Sequence, residues 1–210
     1  MIRVLIADDH AVVREGLKRI VADTADVTVA GEAGNGHEVL AFASKQECDL
    51  VLLDLAMPGK DGLDTLKELK AVRPHLPVLV LSVYPEEQYA VRLLRAGAAG
   101  YLTKESAPEE LVAAIRKVSK GGRYVSAALA EQLAFLLGST TDGPPHEALS
   151  DREFRVMLML ASGKTVGEVA DALCLSVKTI STYRSRALHK MNMRNNAEFS
   201  FYAVKHGLVG

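Results

Sequence analysis

Apolar positions along this chain follow two regimes. Over roughly the first 120 residues, short continuous apolar runs alternate with stretches in which apolar residues recur every three or four positions. From Leu149 onward only the second pattern occurs. Short runs closed by turn residues predict buried strands, and the longer period predicts amphipathic helices. Strands are predicted over 3–7, 27–33, 49–54, 77–82 and 100–103. Helices are predicted over 10–21, from the Gly34-Asn35-Gly36 turn to Ser44, then over 63–72, 88–96 and 108–117. Val12, Val13, Leu17 and Ile20 are expected on one side of the first helix; Leu63, Leu66 and Leu69 mark the third. Strict strand–helix alternation predicts a parallel sheet wrapped by helices, with right-handed crossovers.

After Lys120-Gly121-Gly122-Arg123 the pattern breaks. A further helix is predicted over 126–137, and the stretch 138–146 carries Gly, Ser and two prolines, a linker signature. Beyond it, Ser150 with Glu153 and Thr165 with Glu168 have capping-box spacing. Ser176 and Asn195 start two more helices, the first running to about Met191 and the second ending near His206-Gly207. The helices starting at Thr165 and Ser176 are joined by the short turn Cys174-Leu175, which makes a helix-turn-helix. The expected architecture is therefore α/β, a doubly wound five-stranded parallel sheet, followed by an all-α four-helix domain. The expected boundaries are 1–122, a linker helix and linker over 123–148, and 149–210.

Composition adds little until it is divided. The hydrophobic fraction is 49%, the charged fraction 24%, and the formal net charge −1. No apolar run approaches the ~20 residues that span a bilayer, and acids follow the first apolar run at once, unlike a signal peptide. Two widely spaced cysteines fit reduced thiols in a cytoplasm. Residues 1–138 hold 16 Lys/Arg against 19 Asp/Glu, and residues 139–210 hold 9 against 7. Between Ala172 and Ala197 there are five basic residues and no acid. Such a stripe points to nucleic acid even in a near-neutral chain.

The predicted strands end in chemistry. The first is followed by Asp8 and Asp9, the third closes on Asp54, the fourth on Ser82, and the fifth is followed by Lys104. Ligand sites of open parallel sheets lie outside the carboxyl ends of the strands. Three carboxylates crowded together call for a cation, and oxygen-liganded Mg²⁺ suits them. Lys104 and Ser82 add a positive charge and a hydroxyl around one nucleophilic carboxylate, and carboxylates can form aspartyl-phosphates. Singly, each residue has an ordinary reading as a helix cap or a solvated acid; the joint set carries the inference.

Together with Met57-Pro58 and Asp61-Gly62, these residues resemble the receiver domain of bacterial two-component response regulators, over roughly residues 1–120. The resemblance implies a flavodoxin-like fold with Asp54 as phospho-acceptor. Mg²⁺ would be held by Asp8, Asp9, Asp54 and the backbone carbonyl of Ala56. Lys104 would pair with the phosphoryl group and Ser82 would turn toward it. Tyr101 matches the aromatic switch position and would move inward. Two positions depart from the common pattern. Glu105 follows the lysine where proline is frequent, which leaves the geometry of that bond open. Ala56 and Tyr84 occupy positions that tune phosphate lifetime; Ala56 offers nothing to orient water and Tyr84 could shield the site, so slow self-dephosphorylation is expected.

In the third helix of the second half, Lys178, Ser181, Thr182, Ser185 and His189 share one face by i, i+3, i+4 spacing. Val177, Ile180, Ala187, Leu188 and Met191 are expected toward the core. Leu149-Ser150-Asp151-Arg152-Glu153, Gly163-Lys164-Thr165, Glu168-Val169-Ala170 and Ser176-Val177-Lys178-Thr179-Ile180 resemble the LuxR-type DNA-binding domain of NarL/FixJ regulators. Ser181 and Tyr183 stand where lysine and histidine are frequent, so base preference does not transfer. Ser181, Thr182 and Ser185 are the candidates for base edges. Lys178, Thr179, Arg184, Arg186 and Lys190 are the candidates for phosphates.

The resemblance implies a cytoplasmic bacterial regulator rather than an enzyme. A sensor histidine kinase would phosphorylate it, and it would dimerise when phosphorylated to bind double-stranded promoter DNA. Two rivals are weighed against it. An aspartyl-phosphate hydrolase typically has a second Asp two residues after the nucleophile, where this chain has Ala56. A phosphate-independent DNA-binding protein would not need the intact set Asp8, Asp9, Asp54, Ser82 and Lys104.

Overall fold

A computed structural model describes residues 1–209 apart from Pro58, Gly59, Asp61, Pro85, Ala107, Ala128 and 132–143. Chain contacts separate two compact units, Met1–Glu131 and Gln132–Gly210. In the first, strands β1 (Ile2–Ala7), β2 (Val27–Ala33), β3 (Leu50–Asp54), β4 (Val78–Ser82) and β5 (Gly100–Thr103) form one parallel sheet in the order β2-β1-β3-β4-β5. Between and after them run α1 (Ala11–Ala22), α2 (Gly36–Lys45), α3 (Gly62–Val72), α4 (Glu86–Arg95) and α5 (Pro108–Ser119). With right-handed crossovers, the reversal of strand order at β1 sends α1 to one face of the sheet and α2, α3 and α4 to the other.

β3 and β4 are buried at every position and β1 over its last four, which is why they read as continuous apolar runs; the edge strand β2 is buried only at its two ends. One face carries Val4, Ile6, Leu50, Leu52, Leu79, Leu81 and Leu102 against Leu17 and Val21 of α1 and Leu111, Ala114, Ile115 and Val118 of α5. The alternate residues Leu5, Val51, Leu53 and Val80 are equally buried. Val12 departs from expectation: it is 85% exposed. It lies one position off the stripe formed by Val13, Leu17, Ile20 and Val21, so the core side of α1 starts at Val13.

Beyond α5 the chain returns to the sheet. Tyr124 forms a parallel bridge to Gly100, with its N–H donating to Ala99 O (2.9 Å) and its carbonyl accepting from Tyr101 N–H (3.2 Å). This one-residue pairing satisfies part of the open edge of β5. A Cβ on Gly100 would stand 2.6 Å from Tyr124 O, so the approach needs glycine. Ser126 Oγ accepts the N–H of Leu129 (3.0 Å), capping the start of the helix expected over 126–137. Residues 127 and 129–131 are helical, and the remainder of that expected helix and most of the linker lie outside the described residues.

The second unit is helical throughout its described part. After a 3-10 turn (Pro145–Ala148), which the sequence pattern did not predict, come α6 (Asp151–Ala161), α7 (Val166–Ala172), α8 (Val177–Lys190) and α9 (Asn196–Lys205). The capping boxes Ser150/Glu153 and Thr165/Glu168 are both formed. Gly163 ends α6 with φ +89°, where glycine carries no Cβ penalty. Cys174 takes φ +52° in the turn between α7 and α8, whose closure is the bond from Leu175 N–H to Ala170 O (2.9 Å).

Candidate functional site

The pocket follows from strand register. Ala7 lies beside Leu53, Asp54 beside Leu81, and Ser82 beside Thr103. The residues that end or follow these strands therefore emerge at one edge of the sheet: Asp8, Asp9, Asp54, Ser82 and Lys104. Asp8, Asp54 and Ser82 are buried. Gly62 closes the loop after β3: its N–H donates to Leu55 O (3.1 Å), and a Cβ there would sit 2.3 Å from Asp54 O.

Lys104 Nζ donates to Asp54 Oδ2 (2.9 Å) and stands 2.6 Å from Asp8 Oδ2. The second contact is an ion pair without hydrogen-bond direction, so Asp8 Oδ2 is buried without a hydrogen bond, as is Asp9 Oδ1. Burial alone would push the Lys104 ammonium down, but its hydrogen bond to Asp54 and its pairing with Asp8 outweigh that and hold it above the ordinary lysine range. It stays charged, and its pairing is lost only as pH rises through that raised value. Asp54 Oδ1 accepts from Ala56 N–H (3.2 Å), which fixes the carboxylate from its own loop.

Ser82 and Tyr101 are placed differently from each other. Ser82 Oγ accepts the N–H of Tyr84 (3.1 Å) and makes no hydrogen bond to Asp54. Tyr101 is already buried, with its hydroxyl donating to Tyr84 O (2.6 Å). An inward swing of Tyr101 is thus not available as a later step from this conformation. The bond between Lys104 and Glu105 is trans.

Two residues that sequence patterning passed over also meet the pocket. Arg14 of α1 donates to Asp8 O (2.7 Å) and to Glu32 Oε2 (3.1 Å), clamping the β1–α1 loop to the end of β2. His10 donates its backbone N–H to Asp8 Oδ1 (2.8 Å), and its Nδ1 lies 2.8 Å from Asp9 Oδ1. Ligand atoms of Asp8, Asp9, His10 and Asp54 all fall within 4.8 Å of one another. The available signal for His10 was a histidine directly after two acids; Arg14 had none, because its partners are a backbone carbonyl and a carboxylate 18 positions away. The buried, hydrogen-bond-free oxygens of Asp8 and Asp9 fit a divalent cation held by oxygen ligands.

A second set of candidate residues lies on α8. Ile180, Ala187, Leu188 and Met191 are buried, and Lys178, Ser181, Thr182, Ser185, Arg186 and His189 are exposed. Val177 is 55% exposed rather than in the core, although Ile180 in the same turn is fully buried. Ser176, Lys178, Thr179, Thr182, Tyr183 and Arg186 line one open groove.

Three of the candidate phosphate contacts are engaged within the protein. Thr179 Oγ1 bonds Ser176 Oγ (2.8 Å), and Arg184 Nε donates to Asn196 Oδ1 (2.6 Å). Lys190 Nζ donates to Glu153 Oε2 (2.6 Å), the same oxygen that accepts Ser150 N–H (2.8 Å). Burial alone would raise the Glu153 pKa, but Lys190 and the Ser150 N–H bring it below the ordinary carboxylate range. Glu153 thus both caps α6 and ties it to the end of α8.

Comparison with known proteins bears on both units. Residues 4–116 match the family described as response regulator receiver domain, and residues 147–203 match bacterial regulatory proteins, luxR family. Response regulator GacA of Pseudomonas aeruginosa is 41% identical over 210 residues, covering 100% of this chain and 98% of that protein. Response regulator UvrY of Escherichia coli is 37% identical over 209 residues, covering 99% and 96%. A solved structure of RcsB from Salmonella enterica serovar Typhimurium, bound to promoter rprA in the presence of phosphomimetic BeF3−, is 28% identical with a TM-score of 0.67 over 97% of this chain and 99% of that one.

Proposed function

This chain belongs to the response regulators that join a receiver domain to a luxR-type DNA-binding domain, and from that premise we propose that Asp54 is its phospho-acceptor. The donor is the phosphohistidine of a sensor histidine kinase. A carboxylate oxygen of Asp54 attacks phosphorus as the P–N bond breaks, and the electron pair leaves with the imidazole. Asp8, Asp9, Asp54 and the carbonyl of Ala56 would hold Mg²⁺, which would supply positive charge to neutralise the transferring group. Lys104 moves from shared pairing with two carboxylates to a phosphoryl oxygen. Ser82 leaves the Tyr84 N–H for the same group, while Tyr101 is already inward.

The observation that carries this reading is the Lys104 ammonium between Asp8 Oδ2 and Asp54 Oδ2 in a buried pocket at the strand ends. The pocket serves regulation rather than turnover, since Ala56 supplies no general acid two residues after the nucleophile. With Tyr84 beside the site, the aspartyl-phosphate decays slowly.

The chain divides at 1–122, 123–148 and 149–210, and it works in the cytoplasm. Phosphorylation promotes a homodimer that binds promoter DNA through α8. Ser181, Thr182 and Ser185 meet base edges, and Lys178, Thr179, Arg184, Arg186 and Lys190 serve phosphates; Arg184 and Lys190 would have to exchange Asn196 and Glu153 for DNA. The test is incubation with acetyl phosphate and Mg²⁺ followed by intact-mass measurement. Wild type gains one phosphoryl group and Asp54→Asn gains none; equal gain by both removes Asp54 from the role.

A further inference from the structure

We propose that His10 is an additional ligand of the cation pocket, and that it gives this pocket a preference for first-row divalent cations that accept imidazole. The inference rests on reading the Asp8–Asp9–Asp54 pocket as a cation site, and it concerns which ions that site takes. The geometry is on one side of Asp8. Its Oδ2 meets Lys104 at 2.6 Å, while its Oδ1 is turned by the His10 backbone N–H (2.8 Å) toward the His10 ring. His10 Nδ1 then stands 2.8 Å from Asp9 Oδ1 and 3.4 Å from Asp8 Oδ1. Two donor atoms each about 2.1 Å from one ion, at about 90–110°, are roughly 3.0–3.4 Å apart. The 3.4 Å between His10 Nδ1 and Asp8 Oδ1 matches that spacing, and the 2.8 Å contact with Asp9 Oδ1 needs to open by only a few tenths of an ångström to admit an ion between them.

Burial points the same way. Asp9 Oδ1, the oxygen nearest His10 Nδ1, is buried without a hydrogen bond. The His10 side chain is 65% exposed, so it is free to adjust over the pocket mouth. The residue also starts α1 without using its side chain as a cap. A donor set of oxygens alone suits Mg²⁺, whereas imidazole suits Ni²⁺, Zn²⁺ and their neighbours, whose affinities rise along the Irving–Williams order. A nitrogen ligand should therefore change the selectivity of the pocket and leave its Mg²⁺ affinity almost unaltered.

The experiment is calorimetric titration of the full chain with Mg²⁺ and with Ni²⁺, for wild type, His10→Gln and His10→Ala. It is joined by electron spin-echo spectroscopy of bound Mn²⁺, which detects a coordinated imidazole nitrogen. The remaining histidines are common to all three proteins, so the difference isolates His10. We expect both variants to lose about tenfold or more in Ni²⁺ affinity. Mg²⁺ affinity should change by less than about twofold, and the nitrogen coupling should vanish. Unchanged Ni²⁺ affinity, or nitrogen coupling that persists without His10, overturns the proposal. A parallel loss of Mg²⁺ and Ni²⁺ also overturns it, because His10 would then be orienting the acids rather than ligating. If wild type binds no Mg²⁺ at all, the cation-site reading falls with it, and that result is distinct from a site that binds Mg²⁺ without help from His10.

Discussion

The pocket at the strand ends and the exposed face of α8 are built on opposite plans. The pocket gathers residues from positions 8 to 104, and only sheet register brings them together. Its groups are buried and share partners: one ammonium serves two carboxylates. The α8 face gathers neighbours in sequence by helical spacing alone, and most of its side chains stand separately in solvent. A site of the first kind should respond to mutation as a unit, whereas one of the second kind should respond as a sum.

The largest effect is expected at the shared ammonium. Lys104→Ala leaves Asp8 and Asp54 buried without their counter-charge, and phosphoryl uptake from a small donor should fall by about a hundredfold or more. Combined with Asp8→Asn it should fall little further, and simple additivity in that pair would break the contrast. Next is Glu153→Ala, which removes the side-chain half of the α6 capping box that accepts the Ser150 N–H and takes away the partner of Lys190. It should cost about 2–3 kcal/mol in the second unit, read as lost amide protection in α6 and α8. Because the folded-state pKa of Glu153 lies below its unfolded value, its contribution is present above about pH 4.3 and disappears as pH falls through the depressed value. Protection in these helices should therefore decay on acidification in wild type and not in Glu153→Gln.

On the solvent face, Lys178→Ala and Arg186→Ala should each weaken DNA binding on all sequences and reduce the salt slope by about 0.9, with the two changes adding. The smallest effect is expected at Val177, which is exposed despite being apolar; Val177→Thr should change stability by less than about 0.5 kcal/mol.

The same contrast explains what the sequence made legible. All five strands, α1–α5 and the four capped helices follow from apolar period and cap residues, with ends shifted by one or two positions. Asp8, Asp9, Asp54, Ser82 and Lys104 were visible because strand ends announce themselves. What escaped were pairings without local spacing. Arg14 acts on a backbone carbonyl, Tyr124 pairs through its main chain, and Glu153 reaches Lys190 across 37 positions. Val12 and Val177 were misplaced because each sits on the border of an apolar stripe, where period alone cannot decide a side. Lys190 and Arg184 looked like free cations in a basic run, yet their partners lie on other helices.

The most direct measurement of the account is DNA binding from a random duplex pool by wild type and Asp54→Ala, each with and without acetyl phosphate and Mg²⁺. Only wild type should gain affinity with the donor, and the enriched duplexes should share a sequence. Equal binding by both proteins in all conditions would contradict it and leave α8 a DNA-binding surface that the pocket does not control.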